Sequence, residues 1–135
     1  MDKYEIYSDG AYASSRNQGG FAFVVLKNGE KIYSGFDGVF DTTNNRMEIV
    51  ASLEALKWLL ENNIKEVTLY TDSMYLIGTM SQNWKRKKNQ DLWEQMDEVV
   101  KDLKIEWKHV KGHAGDKYND LCDTLAVHGS QLILQ

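Results

Sequence analysis

The chain has 135 residues, a formal net charge of −4, 42% hydrophobic residues and 27% charged residues, which is ordinary for one soluble globular domain over residues 1–135. No apolar run approaches the roughly 18 residues that cross a bilayer, so no membrane association is expected. The single cysteine, Cys122, excludes an internal disulfide, and no charged-then-apolar leader opens the chain; both fit a cytoplasmic setting.

Residues 3–8 read as a first strand, with Tyr4, Ile6 and Tyr7 as strand formers and Gly10 stopping the run. Glycines at 19 and 20 precede a second strand over 20–27. Asn28-Gly29 then signals a hairpin into a third over 31–40. Residues 44–61 predict a helix, 66–71 a fourth strand, and 73–82 and 90–102 two helices separated by a basic stretch. A fifth strand over 104–109 and a helix over 116–128 complete the chain, with no proline, linker or low-complexity segment. A meander followed by alternation of strand and helix predicts an α/β fold: a mixed sheet, its later strands parallel, flanked by helices.

Two strands share an ending. Residues 5–10 read EIYSDG and residues 67–73 read VTLYTDS. An Asp-Gly can simply begin a turn. If these strands are parallel neighbours, however, Asp9 and Asp72 stand side by side at the edge where open α/β sheets bind ligands. Two carboxylates that close repel, so one takes a proton or a cation neutralises both. In the helix over 44–61, Arg46, Glu54, Lys57 and Glu61 share a solvated arc, and Glu48 falls opposite, among Ala51, Ala55 and Leu59. The helix macrodipole explains an acid in the first turn but not its direction. In the last helix Leu121, Cys122 and Leu125 mark the apolar side, and Asp123 points away from Leu121, as a surface residue does.

VKGHAG at 110–115 is a Gly-rich loop carrying His113, either an ordinary loop histidine or a proton shuttle. Four carboxylates and a histidine, with no thiolate among them, favour hard cations, Mg²⁺ with Mn²⁺ possible, and suggest phosphodiester hydrolysis with two ions. Lys85, Arg86, Lys87 and Lys88 follow Trp84 as one basic run in an acidic chain. It is either a solvated loop or a local polyanion contact.

YSDG at 7–10, TTNNRMEIVASLEAL at 42–56, YTDS at 70–73 and HVKGHAGDKYNDLCDTLA at 109–126 resemble the type 1 ribonuclease H family, in that family's order and over nearly the whole chain. The resemblance implies the RNase H-like fold with strand order 3-2-1-4-5. It implies cleavage of the RNA strand of RNA/DNA hybrids, leaving 3′-hydroxyl and 5′-phosphate ends. The family's metal-binding acids fall on Asp9, Glu48, Asp72 and Asp123, and its mobile histidine on His113. Thr43, Asn44 and Asn45 match residues that touch the hybrid's backbone and minor groove, and Asn119 matches one near the scissile phosphate. Gly10, Ser73, Trp84 and the run Lys85–Lys88 complete the candidate nucleic-acid contacts. The implied partner is an RNA/DNA hybrid; the enzyme is expected to act as a monomer without an obligate protein partner.

Three departures stand out. AYASSRNQGG at 11–20 replaces a Gly- and Pro-rich turn, Met74 stands where the family commonly has Gln, and WKRKKNQ at 84–90 is a short protrusion, so the chain resembles handle-poor members. No separate hybrid-binding domain is expected before the catalytic one. A non-catalytic hybrid-binding scaffold is the alternative reading; the complete acid set and His113 weigh against it. A DNA-strand nuclease of the same fold is a third, opposed by the NNRME and GHAG segments. Trp84 and Trp93 either stack on the DNA strand or pack.

Overall fold

A computed structural model describes residues 1–111 and 116–133. Five strands, β1 (Tyr4–Ala13), β2 (Gln18–Lys27), β3 (Glu30–Phe40), β4 (Glu66–Thr71) and β5 (Lys104–His109), form one sheet in the order β3-β2-β1-β4-β5. The β1–β2–β3 meander is antiparallel, and β4 runs parallel to both β1 and β5. The helices are α1 (Asn44–Glu61), α2 (Met74–Ser81), α3 (Gln90–Val100) and α4 (Lys117–Ser130). This is the mixed sheet read from the sequence, with the bounds of α1, β4 and β5 as expected and the others within two residues, except at the end of β1.

Local chemistry explains most boundaries. Asn28 and Gly29 both have positive φ, 53° and 85°, the conformation a tight two-residue hairpin turn requires. Thr43 caps α1 by accepting from Arg46 N, Ser73 caps α2 by accepting from Leu76 N, and Asp116 caps α4 by accepting from Tyr118 N and Asn119 N. Alternation along β2 divides the core. Phe23 and Val25 face α1 and α3, whereas Ala22, Val24 and Leu26 face α4. On the first face Trp93, Met96, Leu56 and Leu59 are almost wholly buried, each contributing about 1.5–3 kcal/mol by leaving water. On the second, Cys122 and Ala126 have no exposed surface. Cys122 is a packing residue, with its thiol directed at the carbonyls of Tyr7 and Ala22.

One expectation is overturned. Gly10 does not stop β1, which continues to Ala13 and pairs with β2 as far as Ala13↔Gln18. What stops after Tyr7↔Tyr70 is the parallel pairing with β4. The segment 11–20, which stands where the family has a Gly- and Pro-rich turn, is therefore mostly strand, closed by a single 3₁₀ turn at Ser14–Arg16. Gly19 and Gly20 lie inside β2 rather than before it. Gly20 is small because α4 crosses it closely: a Cβ there would lie 2.0 Å from the Ala126 carbonyl oxygen.

Candidate active site

Asp9 sits at a fork. It is still paired with β2, opposite Ala22, but lies past the last β1–β4 pair, so its side chain reaches the gap that opens between β1 and β4. Asp72 follows β4 directly, on the other side of that gap. Helix α1 brings the third acid because its first turns press against β1 at a glycine. A Cβ on Gly10 would lie 2.6 Å from both Glu48 N and the Met47 carbonyl carbon. Glu48 is buried, as its place opposite the solvated arc predicts. One carboxylate oxygen from each of Asp9, Glu48 and Asp72 lies within 4.8 Å of the others.

Such proximity is electrostatically unfavourable. Burial, then the charge of Asp72, then Asp123 push the Asp9 carboxyl well above the ordinary range. Burial and the charges of Asp9 and Asp72 do the same to Glu48. Asp72 is raised as well, by burial and then by the charge of Asp123. Asp123 is exposed on α4 and is not one of the three clustered carboxylates, but it acts on Asp9 through a hydrogen bond and its charge, and on Asp72 through its charge. Glu48 Oε1 is buried without a hydrogen-bond partner among the described residues. An orphaned buried oxygen within a cluster of carboxylates fits a hard divalent cation, which the donor set of oxygens alone also favours.

The sign of this strain gives a prediction. A carboxyl whose folded pKa is raised binds protons more tightly when folded. Its contribution is favourable below the unfolded value, near 4.3 for glutamate, and is lost as pH rises from there toward the raised folded value. Glu48→Gln is therefore expected to stabilise the metal-free protein at pH 8, by about 1–3 kcal/mol, and to make no difference at pH 4. Thermal melting of both proteins in chelator at the two pH values measures it. A variant less stable than the parent at pH 8 would contradict the assignment of strain to Glu48.

The remaining candidates divide. Thr43, Asn44 and Asn45 lie at the start of α1, beside Glu48, with Thr43 also serving as its cap. Ser73 caps α2 next to Asp72, and Asn119 is buried on α4. Gly10 is a packing glycine under α1. His113 lies outside the described residues. Trp93 is core, only 1% exposed, so it packs. Trp84 is half exposed, with its ring against Gly78 of α2, and Met74 is exposed at the start of α2.

The basic run is not four equivalent charges. Arg86 pairs with Asp97 at 2.5 Å and lies over the Trp93 ring. Lys85, Lys87 and Lys88 are exposed and make no ion pair among the described residues. Sequence reasoning placed Arg46 on the solvated arc, and it does more. It grips Asp91 with both guanidinium nitrogens and donates to Asn89, tying the end of the basic segment to the start of α1. His109 was also missed. It ends β5 with Nε2 3.3 Å from the Asp72 carbonyl oxygen, and the strand-end position that marked Asp72 marks it too.

The RNase H family model matches residues 1–131. Ribonuclease H of Acetivibrio thermocellus is 43% identical over 94% of this chain and 94% of its own length. Ribonuclease HI of Haemophilus influenzae is 41% identical over 94% of this chain and 89% of its own. An RNase H domain from Mycobacterium tuberculosis superposes with a TM-score of 0.85 at 21% identity, covering 96% of this chain and 94% of that one. LC11-RNase H1, solved in complex with an RNA/DNA hybrid, gives 0.82 at 20% identity, covering 95% and 96%. The chain belongs to the RNase H family and is an enzyme with ribonuclease H activity.

Proposed function

We propose that this chain is an endonuclease that hydrolyses the RNA strand of RNA/DNA hybrids with two divalent cations, leaving 3′-hydroxyl and 5′-phosphate ends. The observation that carries the proposal is the convergence of buried Asp9 on β1 and Glu48 on α1 with half-buried Asp72 at the end of β4, and Asp123 beside them electrostatically. These four residues would hold the ions, Mg²⁺ or alternatively Mn²⁺. When bound, the ions supply an activated water and charge neutralisation at the leaving oxygen. The carboxylates themselves orient, and their mutual repulsion favours cation over empty site. Water attacks phosphorus and the P–O3′ bond breaks; a proton goes to the departing oxygen, which becomes the 3′-hydroxyl. Asn44 and Asn45 at the start of α1 suit a shallow minor groove read without base sequence, and the 2′-hydroxyls distinguish the RNA strand. Met74 cannot donate a hydrogen bond to that groove. The reading includes one catalytic domain over residues 1–135, monomeric and cytoplasmic. Among the described residues no helix is long and apolar enough to cross a membrane, and Cys122 is buried and unpaired.

The test is a comparison of end-labelled hybrid, duplex DNA and duplex RNA with Mg²⁺ present. Only the RNA strand of the hybrid should be cut, and its upstream product should prime a polymerase directly. Hybrid that is bound but never cut, with Mg²⁺ or Mn²⁺, establishes the scaffold reading instead.

His113→Ala is expected to slow turnover by about 10²–10⁴-fold, as for a general acid–base group, with hybrid affinity kept. Loss of metal affinity with a normal rate at saturating metal would assign the residue to binding. Replacing Lys85, Lys87 and Lys88 with alanine should raise KM and leave kcat, since uniform binding is what is lost. Each phosphate contact removed flattens the slope of log K against log salt by about 0.9, so the triple variant loses at most about 2.7. Arg86, already paired with Asp97, is expected to add less than each lysine. An unchanged salt slope would mean that the run is only a solvated loop.

A further inference from the structure

Helix α1 and the edge strand β3 enclose, with β2, a groove of about 370 Å³ on the α1 side of the sheet. Its walls are aromatic. Phe23 comes from β2, Tyr33 from β3 and Trp58 from α1, with Tyr33 stacked on Trp58 at 4.9 Å between ring centroids. Its rim is acidic: Asp37, Glu54 and Glu61 line it, and among the described residues no lysine or arginine does. None of these carboxylates forms an ion pair among the described residues. Lys57, one turn from Glu54 and Glu61 on α1, neither lines the groove nor pairs with them. Glu54, Trp58 and Glu61 follow helical spacing, so they form one stripe along α1. Beside the groove, β3 pairs only with β2 among the described residues, and its Ile32 and Tyr33 are 47% and 42% exposed. A bulge at Ile32 interrupts the register of β3, and the regular stretch from Tyr33 to Phe40 leaves its outer backbone groups as a template for another strand.

Charge decides what can occupy this place. A nucleic-acid backbone is repelled by three carboxylates, so the groove is no branch of the hybrid path. A second copy of this chain meets the same repulsion through its own acidic face, and its exposed Lys85, Lys87 and Lys88 are the residues already assigned to the hybrid. An ammonium or guanidinium on an apolar stem fits instead, its stem against the aromatic wall and its charge among the carboxylates. An extended backbone carrying such side chains adds to β3 by main-chain pairing. We propose that the groove docks an extended basic segment of a partner protein, which extends the sheet at β3 and seats an Arg or Lys side chain on the Tyr33–Trp58 pair beside Glu54 and Glu61. Glu54 and Glu61 stand six and thirteen residues beyond Glu48 on α1, about 9 and 20 Å along the axis at 1.5 Å per residue. The segment therefore docks without displacing the catalytic carboxylates.

The probes are two short peptides, one alternating Arg and Val and the other Glu and Val, titrated into the full chain. Binding is followed by tryptophan fluorescence and by backbone amide shifts. The Arg peptide should bind at least about tenfold more tightly, with shifts confined to β3 and the second half of α1. The double variant Glu54→Gln, Glu61→Gln should weaken it about tenfold while melting normally and cutting hybrid at the parent rate. Trp58→Ala should also weaken binding, but it removes packing, so the double variant is decisive. Equal binding of both peptides, shifts centred on Asp9 and Asp72, or undiminished binding by the double variant overturns the proposal. A peptide-independent dimer abolished by Ile32→Lys also overturns it and assigns the edge to self-association.

Discussion

Asp9→Asn is expected to abolish cleavage of the hybrid while leaving its binding in Ca²⁺ intact. Asp9 is 3% exposed and shares the cluster with Glu48 and Asp72, at the centre of the proposed ion site. An amide carries no charge and is a poor oxygen donor for a hard cation. Losing one ion's stabilisation of developing charge costs several kcal/mol, and about 4 kcal/mol is three decades of rate. Single-turnover cleavage of labelled hybrid in Mg²⁺ measures the loss, and titration of hybrid in Ca²⁺ measures retained binding. The variant should also melt higher than the parent in chelator at pH 8, because the raised Asp9 carboxyl is ionised there only at the expense of stability. Activity within tenfold of the parent in Mg²⁺ would sink the two-ion reading. Asp123→Asn is expected to lose less and to recover partly in Mn²⁺, in keeping with its exposed place outside the cluster.

Gly10→Ala tests how the site is assembled rather than what it binds. The added Cβ meets backbone, Glu48 N and the Met47 carbonyl carbon, each at 2.6 Å. Neither atom can swing aside as a flexible side chain would, so α1 must lift from β1. Overpacking of this kind destabilises by about 1–3 kcal/mol. Lifting α1 also carries Glu48 away from Asp9, and a displacement near 1 Å at a reacting centre reduces rate by about 10²-fold. Melting temperature and kcat should therefore fall together, with the peptide backbone of β1 still paired to β2. A variant with parental stability and rate would show that α1 does not depend on this contact.

The two substitutions separate what is written locally from what is not. Element types were legible because each rests on neighbours in sequence. Asn28-Gly29 carries its own turn, Thr43 and Ser73 carry their own caps, and the 3.6-residue period of α1 placed Glu48 on the inner face. The grouping of Asp9, Glu48 and Asp72 was legible for a related reason: a strand-ending Asp occurs twice, and the motifs around these acids occur in one family's order.

The end of β1 was not legible. Its partners are two different strands, and the one that stops, β4, pairs with it from 63 residues away along the chain; Gly10 looks like a breaker until α1 is seen to need its missing side chain. Arg46 looked solvated because its partners, Asn89 and Asp91, come from another helix boundary, and Arg86 looked free until Asp97 was placed beside it. Trp84 and Trp93 have the same chemistry and opposite fates, 46% and 1% exposed, decided by which one the sheet and α1 enclose. Which elements form, which face of each is apolar and which residues can carry charge to the site follow from backbone preference and periodicity along the chain. Which charges meet follows from the packing of distant elements. The electrostatic state of a carboxylate depends on burial and on neighbours within a few ångströms, and those neighbours come from β1, α1, β4 and α4 at once.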